Sequence, residues 1–218
     1  MHIPDGMVYG PVALGTGALS VGLVSYAVSV SKRRWHERQI PLVGVTAAIV
    51  FLVQLISVPV GLGTSVHVLG AALAGIVLGA WPGALVVSVV VLLFTGMGGG
   101  GVTTLGANLW WAVLATVGAT YLFRILARLL PRTRRGVLAA SAIAGWVSAI
   151  LAGGTVAAIV TFGGPFAGAT AGVFAVMIGV QALVGVAEAA LTAVFLGAVL
   201  AARPDLLANA DVLPLPQG

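Results

Sequence analysis

The chain has no cysteine and, among 218 residues, only five acids and ten basic residues. Each scarcity excludes something. Without cysteine there is neither a disulfide framework nor a thiolate metal site, so any bound metal must be held by nitrogen or oxygen donors. The sole lysine, Lys32, lies far from the glycine-rich stretch at 96–108, which excludes a nucleotide P-loop and with it ATP hydrolysis by this chain. Charged residues make up 7% of the chain and hydrophobic ones 60%, whereas a soluble domain carries roughly a quarter charged residues. A soluble globular fold is excluded. The net charge of +5 is carried by short basic runs beside apolar segments, the pattern of membrane-orientation signals and not of a nucleic-acid surface.

What remains is apolar sequence in long runs, at roughly 11–30, 41–60, 65–80, 82–97, 105–130, 137–162 and 166–202. A helix of about 20 apolar residues at 1.5 Å each crosses a hydrocarbon layer of roughly 30 Å. The prediction is an all-α polytopic membrane helical bundle of about seven transmembrane helices, one domain over residues 1–218, in the cell membrane. Trp81-Pro82-Gly83 divides the third run from the fourth, because proline flanked by glycine favours a turn. The 31 glycines let neighbouring helices approach closely in lipid. With seven spans, Lys32, Arg33, Arg34, Arg38, Arg124, Arg128, Arg132, Arg134, Arg135 and Arg203 all fall on one side. The positive-inside rule makes that side cytoplasmic, with the N-terminus external and the C-terminus cytoplasmic. His2, Asp5 and His67 then share the external face, and His36 stays with the cations.

Chemistry concentrates at Met1-His2-Ile3-Pro4-Asp5-Gly6. The opening lacks a basic signal-peptide n-region, so the first span is expected to be retained. A Met1 amine, the His2 amide nitrogen and the His2 imidazole close two adjacent chelate rings on one ion. That planar nitrogen set suits Ni(II), Cu(II) and Co(II) better than tetrahedral zinc. His67, the other histidine on that face, supplies the fourth corner. Each histidine alone reads more simply as an interfacial or hydrogen-bonding residue, and only their pairing on one face raises the metal reading. Pro4 turns the tail away from a continuous helix. Asp5 either orients a ligand or starts a helix, and Asn108 either supports a ligand or caps the fifth span. Gln181 and Glu188 share one face of the last span, where a hydrogen-bonded lock between helices is the commoner role than a proton or cation relay.

These residues resemble the CbiM/NikM family, the substrate-binding S components of energy-coupling factor transporters for cobalt and nickel. Met1-His2-Ile3-Pro4-Asp5-Gly6 is similar to the family's opening, and Gly63-Thr64-Ser65-Val66-His67-Val68-Leu69-Gly70 to its second histidine motif. Gly100-Gly101-Val102-Thr103-Thr104-Leu105-Gly106-Ala107-Asn108 is similar to its glycine-rich loop, and Leu183-Val184-Gly185-Val186-Ala187-Glu188 to its last-helix signature. The resemblance implies metal ligands at Met1, His2 and His67, with Asp5, Asn108 and Ser65 around them, and Ni(II) or Co(II) as transported substrate. The Pro4-Asp5 opening resembles the nickel branch more than the cobalt one. Implied partners are a transmembrane coupling subunit, two cytoplasmic ATPase subunits and a small accessory membrane protein. The chain departs from the pattern at Trp110-Trp111, at Gln181 where many relatives carry histidine, and in its loop, which is glycine alone before Val102.

Two other classes compete. An autonomous secondary transporter would need Glu188 to couple proton movement to metal entry, yet the chain has one mid-membrane acid and no visible inverted repeat. An intramembrane hydrolase using Ser65 and His67 lacks a third orienting group, and side chains two residues apart diverge.

Overall fold

The computed structural model describes residues 1–61 and 64–208. Among these residues seven α-helices follow one another: α1 (Gly10–Arg34), α2 (Ile40–Leu55), α3 (Ala71–Leu78), α4 (Ala80–Gly96), α5 (Leu105–Leu129), α6 (Arg134–Phe162) and α7 (Thr170–Ala202). The all-α polytopic bundle is as expected. Among the described residues five helices, counting the short turns that lead into α2 and α7, are long and apolar enough to cross a membrane, and α4 is a shorter apolar helix. The surface is oily, with Leu14, Leu183 and Val194 more than 70% exposed. The interior holds small and polar residues. Several buried hydroxyls return hydrogen bonds to their own helix backbone four residues earlier, as Ser88 does to Ala84 O and Thr116 to Ala112 O, which satisfies them within the helix.

Two predicted segments are corrected. The run at 41–60 is helical only as far as Leu55, where α2 stops, and strand β1 (Val58–Gly61) pairs antiparallel with β2 (Thr64–Val66). The run at 65–80 holds an eight-residue helix, α3, which at 1.5 Å per residue covers about 12 Å. The break before α4 falls at Gly79, whose φ of +95° an L side chain rarely adopts. Pro82 sits inside the first turn of α4, where a missing N–H is harmless because those groups have no helical partner. Composition could not separate these cases, because an apolar run reads alike whether it is helical or extended.

α3 is buried at every residue, and so are Val66, His67, Leu69 and Gly70 before it. Non-helical backbone inside a membrane bundle survives only where protein groups satisfy it. Two helices do so here. Gln54 of α2 donates from Nε2 to Leu69 O (2.9 Å), and Glu188 Oε2 of α7 accepts from Leu69 N (2.7 Å) and Gly70 N (3.0 Å). Gly70 has φ +67°, and a Cβ there would lie 2.9 Å from Val50 Cγ2. Glu188 thus closes the start of α3, where partial positive charge favours an anion, and the lock between helices foreseen for this residue is this one.

The bundle has two distinct ends. At one, Gly101 N donates to Ile3 O and Tyr9 N to Gly163 O, gathering the N-terminal tail, the α4–α5 loop and the end of α6. At the other, Gln39 Nε2 donates to Leu206 O and Ala208 N to Val77 O. Asp5 and the glycine-rich loop lie at the first end, and His36 lies with the basic residues at the second. α1 crosses α5 at glycine, where a Cβ on Gly106 would strike the Gly17 backbone, and Ser20 Oγ donates to Gly106 O (2.7 Å) beside it.

Candidate metal centre

The N-terminal tail does not extend α1. Proline at position 4 denies the backbone a helical path, and residues 1–3 turn into the bundle, where Met1, His2 and Ile3 are all buried. Asn108, one turn into α5, holds the tail as a second strand would. Ile3 N donates to Asn108 Oδ1 (2.8 Å) and Asn108 Nδ2 donates to Ile3 O (3.0 Å). Thr104 Oγ1 and Gly101 N also donate to Ile3 O, and Trp111 Nε1 donates to Asn108 Oδ1. The glycines of the loop make this possible: a Cβ on Gly101 would collide with Asp5 N and Thr104 Oγ1, and one on Gly100 would press against His2 Cβ at 3.3 Å.

This packing brings His2 to His67. The ring centroids are 4.9 Å apart with 26° between planes, and Phe94 stacks on His2 at 4.5 Å with Trp111 edge-on at 5.9 Å. Sequences 65 residues apart meet in one aromatic, water-excluded pocket. His67 Nδ1 lies 3.0 Å from Val68 O. A carbonyl oxygen can only accept, so Nδ1 carries the proton and Nε2 keeps its lone pair. That Nε2, and both ring nitrogens of His2, are buried without a hydrogen bond of full geometry. Burial pushes His2 down to about 4, with the neighbouring Gln54 side chain pulling slightly upward. At neutral pH it is an uncharged imidazole. A neutral His2 has one N–H and one lone pair, so each of the two rings holds one buried lone pair without a donor, at an ordinary cost of about 1–3 kcal/mol each. A cation that accepts lone pairs resolves that cost.

The other residues singled out from sequence take separate places. Met1 is buried beside α7, where Gln181 Nε2 lies 3.3 Å from its Sδ. Asn108 supports the tail and does not cap α5, which begins at Leu105 behind Thr104 with no side-chain cap. Asp5 is exposed and accepts from the Thr103 amide (2.7 Å) and hydroxyl (2.6 Å), so it fastens the loop and is not turned toward the imidazoles. Those hydrogen bonds hold its carboxyl below the usual range. Ser65 stands half-buried in β2 opposite Pro59. Among the described residues no three His, Cys, Asp or Glu side chains gather into a metal cluster, so a site here needs backbone or terminal nitrogens. Sequence reasoning missed Gln54 and Phe94. Gln54 carried a signal, as the one amide side chain in an apolar span; Phe94 carried none.

The family model described as cobalt uptake substrate-specific transmembrane region, CbiM, matches residues 2–206. A metal transport protein of Haloquadratum walsbyi is 37% identical over 95% of this chain and 93% of its own length. The cobalt transport protein CbiM of Sorangium cellulosum is 31% identical over 100% of this chain and 99% of its own. A fused nickel transport protein, NikMN, of Archaeoglobus fulgidus is 35% identical over 95% of this chain and 68% of its own. The crystal structure of a truncated transition metal transporter superposes with a TM-score of 0.84 at 22% identity, over 92% of this chain and 99% of that one.

Proposed function

Since the chain belongs to the CbiM family of cobalt-uptake substrate-specific transmembrane proteins, we propose that it captures Ni(II) or Co(II) with its own N-terminal nitrogens and one further imidazole. In this reading the Met1 amine, the His2 amide nitrogen and His2 Nδ1 take three corners of a planar site, and His67 Nε2 takes the fourth. The observation that carries it is the pair of buried imidazoles 4.9 Å apart, with His2 Nδ1 and His67 Nε2 both lacking a hydrogen-bond partner. A deprotonated amide in a flat nitrogen set favours Ni(II). Nickel is the preferred substrate in this reading. The aromatic wall of Phe94 and Trp111 excludes water, and His2 and His67 remain uncharged until the ion arrives.

ATP energy comes from elsewhere: a transmembrane coupling subunit, two cytoplasmic ATPase subunits and a small accessory membrane protein complete the importer. The positive charges lie in the cytoplasm and the tail opens outside. Glu188, the one buried acid among the described residues, already serves the Leu69 and Gly70 amides, which favours a binding component over a proton-coupled transporter.

The deciding experiment is calorimetric titration of the purified protein with nickel chloride, beside a variant carrying one extra residue before Met1. Intact mass is measured first, and the reading requires that Met1 open the mature chain. The extension should abolish tight binding while the melting temperature holds, since the amine becomes a peptide nitrogen out of place. H67A should weaken binding and H36A should leave it unchanged. Equal binding by the extended chain would refute the reading.

A further inference from the structure

The proton inventory of the two imidazoles leaves one acceptor to be found. His67 places its N–H on Val68 O. In the proposed chelate His2 binds through Nδ1, because only that nitrogen closes a six-membered ring with the residue's own amide. Its Nε2 then carries a proton, in a pocket where His2 is 3% exposed. A buried N–H needs an acceptor, and a metal-bound imidazole is a stronger donor than a free one.

Gln54 is the neighbour able to serve. Its side chain is fully buried and neighbours the His2 imidazole. The amide cannot be turned over freely, since Nε2 is committed to Leu69 O at 2.9 Å and a carbonyl accepts only from the NH₂ end. Oε1 is thereby fixed as the outward atom, and it is buried with no partner of full geometry. A donor without an acceptor and an acceptor without a donor face one pocket.

We infer that Gln54 is a positioning residue of the metal site: its Oε1 receives His2 Nε2–H and fixes the tautomer that leaves Nδ1 for the ion, while its NH₂ end holds the backbone that carries His67. The inference rests on the proposed nitrogen chelate. One side chain of α2 would then align both imidazoles, which lie on segments with no helix of their own.

The test compares nickel binding by the wild type, Q54M and Q54E in detergent, with ¹⁵N-histidine NMR of the nickel-loaded protein. Q54M keeps the shape and removes both polar ends. It should weaken nickel binding about 10- to 100-fold, the usual effect of removing a partner behind a metal ligand, and alter the visible band of the planar site. Q54E keeps an oxygen to receive His2 Nε2–H and loses the donor to Leu69 O; it should recover part of the affinity lost in Q54M. The wild-type spectrum should show Nε2 of His2 protonated and protected from exchange. Q54M binding within threefold of wild type, or Q54E no better than Q54M, overturns the inference. Should Q54M fail to fold, the wild-type spectrum decides, because an unprotonated or freely exchanging Nε2 also overturns it. Wild-type binding that is insensitive to extension before Met1 would instead sink the chelate itself, and the two failures are distinct.

Discussion

Asn108 makes more hydrogen bonds within the site than either imidazole. Its amide satisfies the Ile3 N–H and shares the Ile3 carbonyl with Thr104 and Gly101, and its oxygen also takes the Trp111 indole. N108A leaves a buried amide N–H and an indole N–H unmatched, at about 1–3 kcal/mol each. Thermal melts should show N108A several degrees less stable, and hydrogen exchange should show residues 1–5 released. Asp5 acts more gently and from the surface. Its carboxyl is held below the usual range by the Thr103 hydroxyl and then the Thr103 amide, so its contribution is complete above the ordinary carboxylate value of about 3.9 and disappears as pH falls through the lowered one. Exchange of the Thr103 amide should therefore be level from pH 7 to 5 once corrected for intrinsic rate, and accelerate only in stronger acid; D5N should be fast throughout. At this scale the sequence was eloquent about His2 and His67, whose rarity made them visible. It was silent on Phe94, one aromatic among many apolar neighbours.

Elements show where pattern reading succeeds and where it stops. Hydropathy located α1, α5, α6 and α7 to within a few residues, because each is an uninterrupted apolar helix with a breaker or basic cluster at its end. It failed between Ile56 and Gly79, where a hairpin, an extended run and a two-turn helix share the same apolar composition. What holds that stretch is contact from afar, from Gln54 on one side and Glu188 on the other. E188A strands two buried amides at the start of α3, so it should lower the melting temperature and reduce nickel binding together, since His67 lies two residues before Leu69. E188Q keeps an accepting oxygen and should lie between. Loss of binding in E188A with no thermal change would contradict this account. The glycine-rich loop belongs here too. Its signal was plain, but its purpose appears only when the tail is seen lying against Gly100 and Gly101; G101A should loosen the tail, with a cost of about 1–3 kcal/mol typical of overpacking.

At the scale of the whole molecule, the arrangement of charge carries the orientation. The chain lacks cysteine, so each one introduced is unique. Val102, 70% exposed at the tail's end of the bundle, and Arg132, exposed between α5 and α6, make a matched pair. In intact cells an impermeant maleimide should label V102C, whereas R132C should react only after permeabilisation. The reverse result would invert the molecule and place the histidines inside the cell.

The contact between Met1 and Gln181 spans nearly the whole polypeptide. Residues that leave the ribosome before any helix are housed by groups that emerge midway, at 101–111, and near the close of synthesis, in α7. A chain halted before its final helix would hold both histidines and still lack the wall behind Met1. On the proposed chelate, the ion cage would then be complete only when translation is almost done.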